Sequence, residues 1–257
     1  MSAPATSVTI PGRYCGPRAS GNGGWTSGAV ARLLGAGPGE AAEVRLHLPP
    51  PLDEALAVER DDDQVVLRDA AGAVVASGRR IDDLVLSGDG EPPVPSPATG
   101  DEAGTATLPW TVDDHPFPHC FVCGPARAEG DGLRIFAGRL PSDVDDHPVF
   151  AAPWTPDPSV AGPDGRVGPE VIWAALDCPG GQAVSVFGGE EQAVVLGTMQ
   201  AVWDEAPVVG ERYVLTSWPI AASGRKHTSG ALLSDAEGRV LGRSRSVWIA
   251  VPRTPGG

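Results

Sequence analysis

The sequence predicts an α+β protein in which one helix followed by an antiparallel meander is written twice. Three observations lead there. Two stretches of the 257-residue chain each carry one helix signal among several strand-like runs. A segment rich in proline and glycine, residues 87–118, separates them. The turn Asp69-Ala70-Ala71-Gly72 of the first stretch has a counterpart, Asp235-Ala236-Glu237-Gly238, in the same relative place of the second. The chain is therefore divided into an N-terminal half, residues 1–86, a linker, 87–118, and a C-terminal half, 119–257.

In the first half Asn22 is a good N-cap, residues 23–34 are mostly small and apolar, and Gly35 sits where a C′ glycine belongs. Few polar positions interrupt this helix, so it is expected to be buried on most sides. Strand-like runs follow at 43–48, 55–60, 64–68 and 73–81, separated by turn-formers. The linker holds Pro92, Pro93, Pro95, Pro97, Pro109, Pro116 and Pro118. Such a composition predicts neither helix nor central strand, only an extended surface path. In the second half, 133–140 and 149–154 read as strands. Pro169 suits the first helical position, Glu170 the positive helix end, and Pro179-Gly180-Gly181 is expected to end or kink the helix that follows. Strand-like runs return at 194–203, 212–218, 227–234 and 240–251.

Composition narrows the function. Apolar residues make up 41% and charged residues 20%, enough for a packed core. The formal charge of -14 argues against a protein that tracks nucleic-acid phosphates, which needs a basic stripe. No run of 18 apolar residues occurs, so no membrane span is expected. The first nine residues lack the layout of a signal peptide, and four cysteines do not make a disulfide scaffold. A cytoplasmic protein with reduced thiols is expected.

Several motifs then carry a family resemblance. They are Cys120-Phe121-Val122-Cys123-Gly124-Pro125 followed by Gly132-Leu133-Arg134-Ile135, the helix segment from Gly168-Pro169-Glu170 to Asp177, Gly224-Arg225-Lys226 with the final hairpin, and Gly21-Asn22-Gly23-Gly24-Trp25 in the first half. In order and spacing they resemble hotdog thioesterases of the phenylacetate-pathway type, and the helix-plus-meander repeat resembles a tandem, or double, hotdog fold. Two departures stand out. Gly168-Pro169-Glu170 replaces the His-Gly-Gly of that family, and the first helix has no carboxylate.

Thioester hydrolysis needs a carboxylate to attack or to activate water, donors for the developing oxyanion, and a place for the leaving thiol. A helix N-terminus supplies unpaired N–H groups, and glycines there let a carbonyl approach. Asp177 lies nine residues after Gly168, whereas the residue nine after Asn22 is Ala31. Conversely, the first helix begins with Gly23-Gly24 and the second with Pro169, which has no N–H. The resemblance implies that the helix start of one half faces the carboxylate of the other. One working site, Gly23 and Gly24 with Asp177, is expected, and its counterpart is expected to be dead. Asp177 would be general base or nucleophile, Gly23 and Gly24 the oxyanion donors, and Asn22 either a plain cap or an orienting group. Trp25 and Trp173 are candidates for an acyl pocket, with core packing as the other reading. Gln182 and Thr198 are candidate polar neighbours of Asp177, and Arg225 and Lys226 candidate partners of CoA phosphates.

Rival motifs are weaker. Cys120 and Cys123 with His115 and His119 could in principle hold zinc, but all four are crowded more tightly than in a usual finger. The preferred reading of the two cysteines is small residues at a chain bend. Cys178 could be a nucleophile, yet no histidine is placed in sequence as its partner. G-x-S-x-G and P-loop motifs do not occur. The expected activity is hydrolysis of an acyl-CoA, with CoA as part of the substrate and no metal or redox cofactor. The alternatives are an acyl-CoA-binding protein and a hotdog hydratase or dehydratase. No membrane or nucleic-acid partner is expected, and self-association into a homo-oligomer is.

Overall fold

Asn22 starts the first helix as the sequence predicts. Its side-chain Oδ1 accepts the Trp25 N–H at 2.9 Å, and α1 runs Gly23–Leu33. Gly35, at φ +73, closes it in the left-handed conformation that glycine adopts without strain. The structure, a computed structural model, describes residues 6–141, 146–188 and 192–253.

Around α1 lie β1 (Ser7–Thr9), β2 (Ala42–Leu46), β3 (Ala55–Asp61), β4 (Gln64–Arg68) and β5 (Val74–Arg80). After the linker come β6 (Gly138–Arg139), β7 (Phe150–Trp154), α3 (Pro169–Gly188), β8 (Gln192–Trp203), β9 (Tyr213–Ser223), β10 (Lys226–Asp235) and β11 (Val240–Pro252). The strands form one antiparallel sheet of order β1-β3-β4-β5-β2-β8-β11-β10-β9-β7-β6. Its centre is the pair β2–β8, in register from Ala42↔Ala201 to Arg45↔Thr198. Outward from that pair the two sides repeat. Beside β2 stands β5, then β4 and β3; beside β8 stands β11, then β10 and β9.

The two hairpin turns repeat as well. Asp69 Oδ1 accepts the N–H groups of Ala71 and Ala73, with Gly72 at φ +81. Asp235 Oδ1 accepts those of Glu237 and Arg239, with Gly238 at φ +83. Each aspartate thus builds the same turn from the same position, using a side-chain acceptor and a glycine with positive φ.

Three sequence expectations need correction. The linker contains a helix, α2 (Gly100–Ala106), with a full capping box between Thr99 and Glu102. The prolines cluster before and after this segment, and the Thr-x-x-Glu signal lies between them. The expected strand over 133–140 is reduced to β6; most of that run is irregular chain. Finally, of the end or kink expected at Pro179-Gly180-Gly181, the end does not occur: α3 runs on through Pro179. Proline forfeits one helical hydrogen bond there, while tight packing holds the helix on the sheet. A Cβ on Gly180 would come 2.5 Å from Ser229 Oγ, and one on Gly181 2.8 Å from the Trp248 ring.

The two long helices pack against each other through glycine. A Cβ on Gly24 would lie 2.8 Å from the Ala174 Cα and the Trp173 carbonyl oxygen, and one on Gly28 would lie 2.6 Å from the Glu170 Cα. As α1 advances from 24 to 28, its neighbours on α3 recede from 177 to 170, so the helices are antiparallel. One apolar core contains both helices and both sides of the sheet. No helix of the structure is long and apolar enough to cross a membrane.

Candidate active site

The antiparallel helix pair puts the start of α1 against the middle of α3. Asp177 is there, 2% exposed, with nothing basic beside it among the described residues. Its Oδ2 accepts the Gly24 N–H at 2.9 Å and faces Asn22 Nδ2 at 3.4 Å. Its Oδ1 is buried with no partner among the described residues. Asn22 has no freedom in this arrangement: its oxygen is used by the helix cap, so its NH2 must point to the carboxylate. Burial pushes the Asp177 carboxyl up to about 8, against the opposing effects of the Gly24 and Asn22 hydrogen bonds. An acid held in that range is suited to proton transfer near neutrality.

Asn22, Gly23 and Asp177 lie on the wall of a cavity of about 930 Å³. Among the described residues the Gly23 N–H has no protein acceptor. The end of β2 and the first part of β8 line it too, with Leu46 and Leu196 beside Gly23, and Leu48 just past β2. Trp248 of β11 also lines it, held by its Nε1–H donating to Ser229 Oγ at 2.9 Å. The volume suits a ligand of cofactor size, and most of the lining is apolar.

Of the sequence candidates, the fold brings together Asp177, Asn22, Gly23 and Gly24. The Gly24 N–H already binds Asp177, so of the two glycines only Gly23 has a free donor. Gln182 reaches the cavity wall, but its amide is taken by the chain: Nε2 donates to Ile135 O at 3.0 Å and Oε1 accepts the Ala137 N–H. Trp25 and Trp173 do not line the cavity. Trp25 stacks on Tyr14, ring centroids 4.6 Å apart, and Trp173 is in the core where the helices cross. Thr198 sits in β8 at the central seam, paired with Arg45 and Val247, and is also off the cavity. Arg225 and Lys226 are exposed at the β9–β10 turn and do not line it either.

Several lining residues were not expected. The end of the linker contributes Trp110, His115 and Phe117. Aromatic and histidine side chains in an otherwise Pro/Gly-rich stretch were the signal for them, since a solvated linker has no use for such groups. Cys120, Cys123 and Cys178 also line the cavity, and Arg253 stands on its wall, donating to the Asp113 and Asp114 carbonyls.

At the other end of the helix pair, where the repeat would put a second site, Ala31 offers only a buried methyl and Pro169 no N–H. Glu170 there is tied to Arg32 at 2.5 Å.

No protein-family model and no curated protein matches the chain. Solved structures do. The tesB protein of Mycobacterium avium subs paratuberculosis is 11% identical over 98% of this chain and 91% of its own, with a TM-score of 0.57. The acyl-CoA thioesterase II TesB2 of Mycobacterium marinum is 12% identical over 91% and 90%, TM-score 0.54. A conserved protein of unknown function with a hot dog fold from Alicyclobacillus acidocaldarius is 11% identical over 96% and 92%, TM-score 0.55. What this chain shares with these neighbours, TesB-type thioesterases among them, is the hotdog fold.

Proposed function

We propose that the protein hydrolyses acyl-CoA thioesters at a single composite site between two hotdog halves fused in tandem. The repeated strand order on either side of β2–β8 supports the tandem reading. The observation that carries the activity is Asp177: a buried acid on a cavity wall, one oxygen fixed by the first turn of the opposite helix and the other left unpaired. In this reading Oδ2 is the anchor and Oδ1 the working oxygen. Oδ1 takes a proton from a water as the water oxygen adds to the thioester carbonyl carbon, and the carbonyl oxygen turns toward the Gly23 N–H at the positive end of α1 as charge develops. The intermediate collapses with cleavage of the C–S bond, the departing thiolate taking the proton from Asp177. Asn22 keeps the carboxylate aimed. The acyl chain lies along the apolar wall, and CoA phosphates meet Arg253 at the rim, with Arg225 and Lys226 on the adjoining strand turn, where Lys226 pairs with the wall residue Ile249.

The test is thiol release from acyl-CoAs of graded chain length. Turnover is expected in the wild type, with Asp177→Asn lowering kcat about 10²–10⁴-fold and leaving KM little changed, as for loss of a general base. A wild type that releases no thiol from any member of the series, or an Asp177→Asn variant that keeps its kcat, would overturn the proposal.

A further inference from the structure

The sulfur atoms of Cys120, Cys123 and Cys178 all lie within 4.8 Å of one another. The fold makes this cluster from distant parts of the chain. The loop after the linker curls tightly, with the Gly124 N–H donating to the Cys120 carbonyl at 2.8 Å. A Cβ on Gly124 would sit 2.5 Å from that same oxygen, so only glycine permits the curl. The curl turns both cysteines of the Cys-x-x-Cys pair toward α3, where Cys178 completes the group. His115 and His119, the histidines nearest in sequence, are not in it.

We propose that these three thiols hold one thiophilic divalent cation of the zinc class, with its fourth coordination position open to the cavity. The spacing fits. Tetrahedral zinc with Zn–S bonds of about 2.3 Å puts its sulfurs about 3.8 Å apart, and Cys120 Sγ and Cys178 Sγ are 3.7 Å apart. A disulfide would need sulfurs at about 2.05 Å. Donors face two of the three sulfurs. Backbone N–H groups of Val122 and Cys123 face the Cys120 sulfur. Asn22 Nδ2 lies 3.7 Å from the Cys178 sulfur and 3.9 Å from that of Cys120. The start of α1 adds its positive end. On binding, each thiol gives its proton to solvent, so one divalent ion with three thiolates carries a net charge of −1, which these donors offset in part. Three protein ligands with the fourth position facing a cavity is the pattern of zinc sites that bind a water or a ligand there, whereas structural sites close all four. All three cysteines line the cavity. A thiol or water reaching the metal from that space would complete the tetrahedron.

The experiment needs no acyl substrate, so its outcome is separate from that of the hydrolysis assay. The full chain, reduced and stripped with a chelator, is titrated with Co²⁺ under argon. One equivalent per chain should saturate a sulfur-to-cobalt charge-transfer band and tetrahedral d–d bands, and Zn²⁺ should displace it one for one. Cys178→Ser and, separately, Cys123→Ser should weaken cobalt binding more than the ~10–100-fold typical of losing an outer-shell partner, while Cys15→Ser leaves the titration unchanged. Far-UV circular dichroism checks that each variant is folded. The absence of a saturable band in the wild type overturns the proposal. So does a titration that folded Cys178→Ser leaves intact, or air oxidation that consumes two of the three clustered thiols in a protein that never binds cobalt.

Discussion

Asn22 joins stability and chemistry in one side chain. Its oxygen caps α1 and its nitrogen faces Asp177 Oδ2. Aspartate caps a helix about as well as asparagine, but it would place an acceptor where a donor now stands, against a buried carboxyl. Asn22→Asp should therefore keep the cap but carry the cost of two facing buried carboxyls, so its urea midpoint falls below that of the wild type and kcat for thioester hydrolysis falls at least tenfold. Asn22→Ala should lose both, with about 0.5–2 kcal/mol of stability gone with the cap. Equal activity in Asn22→Asp and wild type would show that the amide only caps the helix. At this scale the sequence was informative. The cap, the glycines and the acid were legible because each obeys or breaks a local rule at a fixed spacing. The two tryptophans and Thr198 were not separable from core residues, since bulk and polarity do not say which side of a helix or strand faces a cavity.

The helix pair is the element on which the site depends, and glycine makes it possible. Gly24 and Gly28 lie one turn apart on the face of α1 that meets α3. A methyl at 28 would lie 2.6 Å from the Glu170 Cα, and backbone cannot move aside as a side-chain tip can. Gly28→Ala must therefore part the helices by a few tenths of an ångström or more. A stability loss of about 1–3 kcal/mol is expected, the usual cost of overpacking, read from urea unfolding. The strain extends to the Asp177–Gly24 contact one turn away, so kcat should fall too. A variant as stable and active as the wild type would mean the helices are free to slide. The strands of the meanders were legible because each is a short apolar run bounded by turn residues. The fate of α3 was not: Pro179-Gly180-Gly181 reads locally as a stop or a kink, and the close fit of those glycines on Ser229 and Trp248 explains why the helix continues. The cysteine cluster was hidden for a similar reason. Its third member is 55 residues from Cys123 in the chain, and only the packing of α3 against the 120–124 curl unites them.

On the scale of the whole molecule, the segment 87–118 is a strap that ties strands β9 and β11 to the cavity. It leaves β5, and Glu91 forms a two-pronged pair with Arg245 of β11 at 2.6 and 2.7 Å. Ala98 N–H then donates to Thr216 Oγ1 of β9 at 2.9 Å, and the far end lines the cavity with Trp110, His115 and Phe117. The composition showed a connection but not its path, because the fixing contacts are made by partners more than a hundred residues away. The Glu91–Arg245 pair is more than a surface contact, as each side chain is only 23% exposed. The Arg245 guanidinium, donating to both carboxylate oxygens, holds Glu91 down at about 2, against an ordinary value of 4.5. A carboxyl whose value is depressed by folding binds its proton more readily in the unfolded chain. Its contribution to stability is then fully present above about 4.5 and is lost as pH falls from there to about 2. Glu91→Gln removes this dependence. The variant should be less stable than the wild type at neutral pH, and the difference in urea midpoint should shrink through that acid window and vanish near its lower end. Because the strap forms part of the cavity wall, the same variant should also raise KM for the acyl thioester at neutral pH. A midpoint difference that stays constant from neutral pH down to about 2 would mean that the pair does not secure the strap.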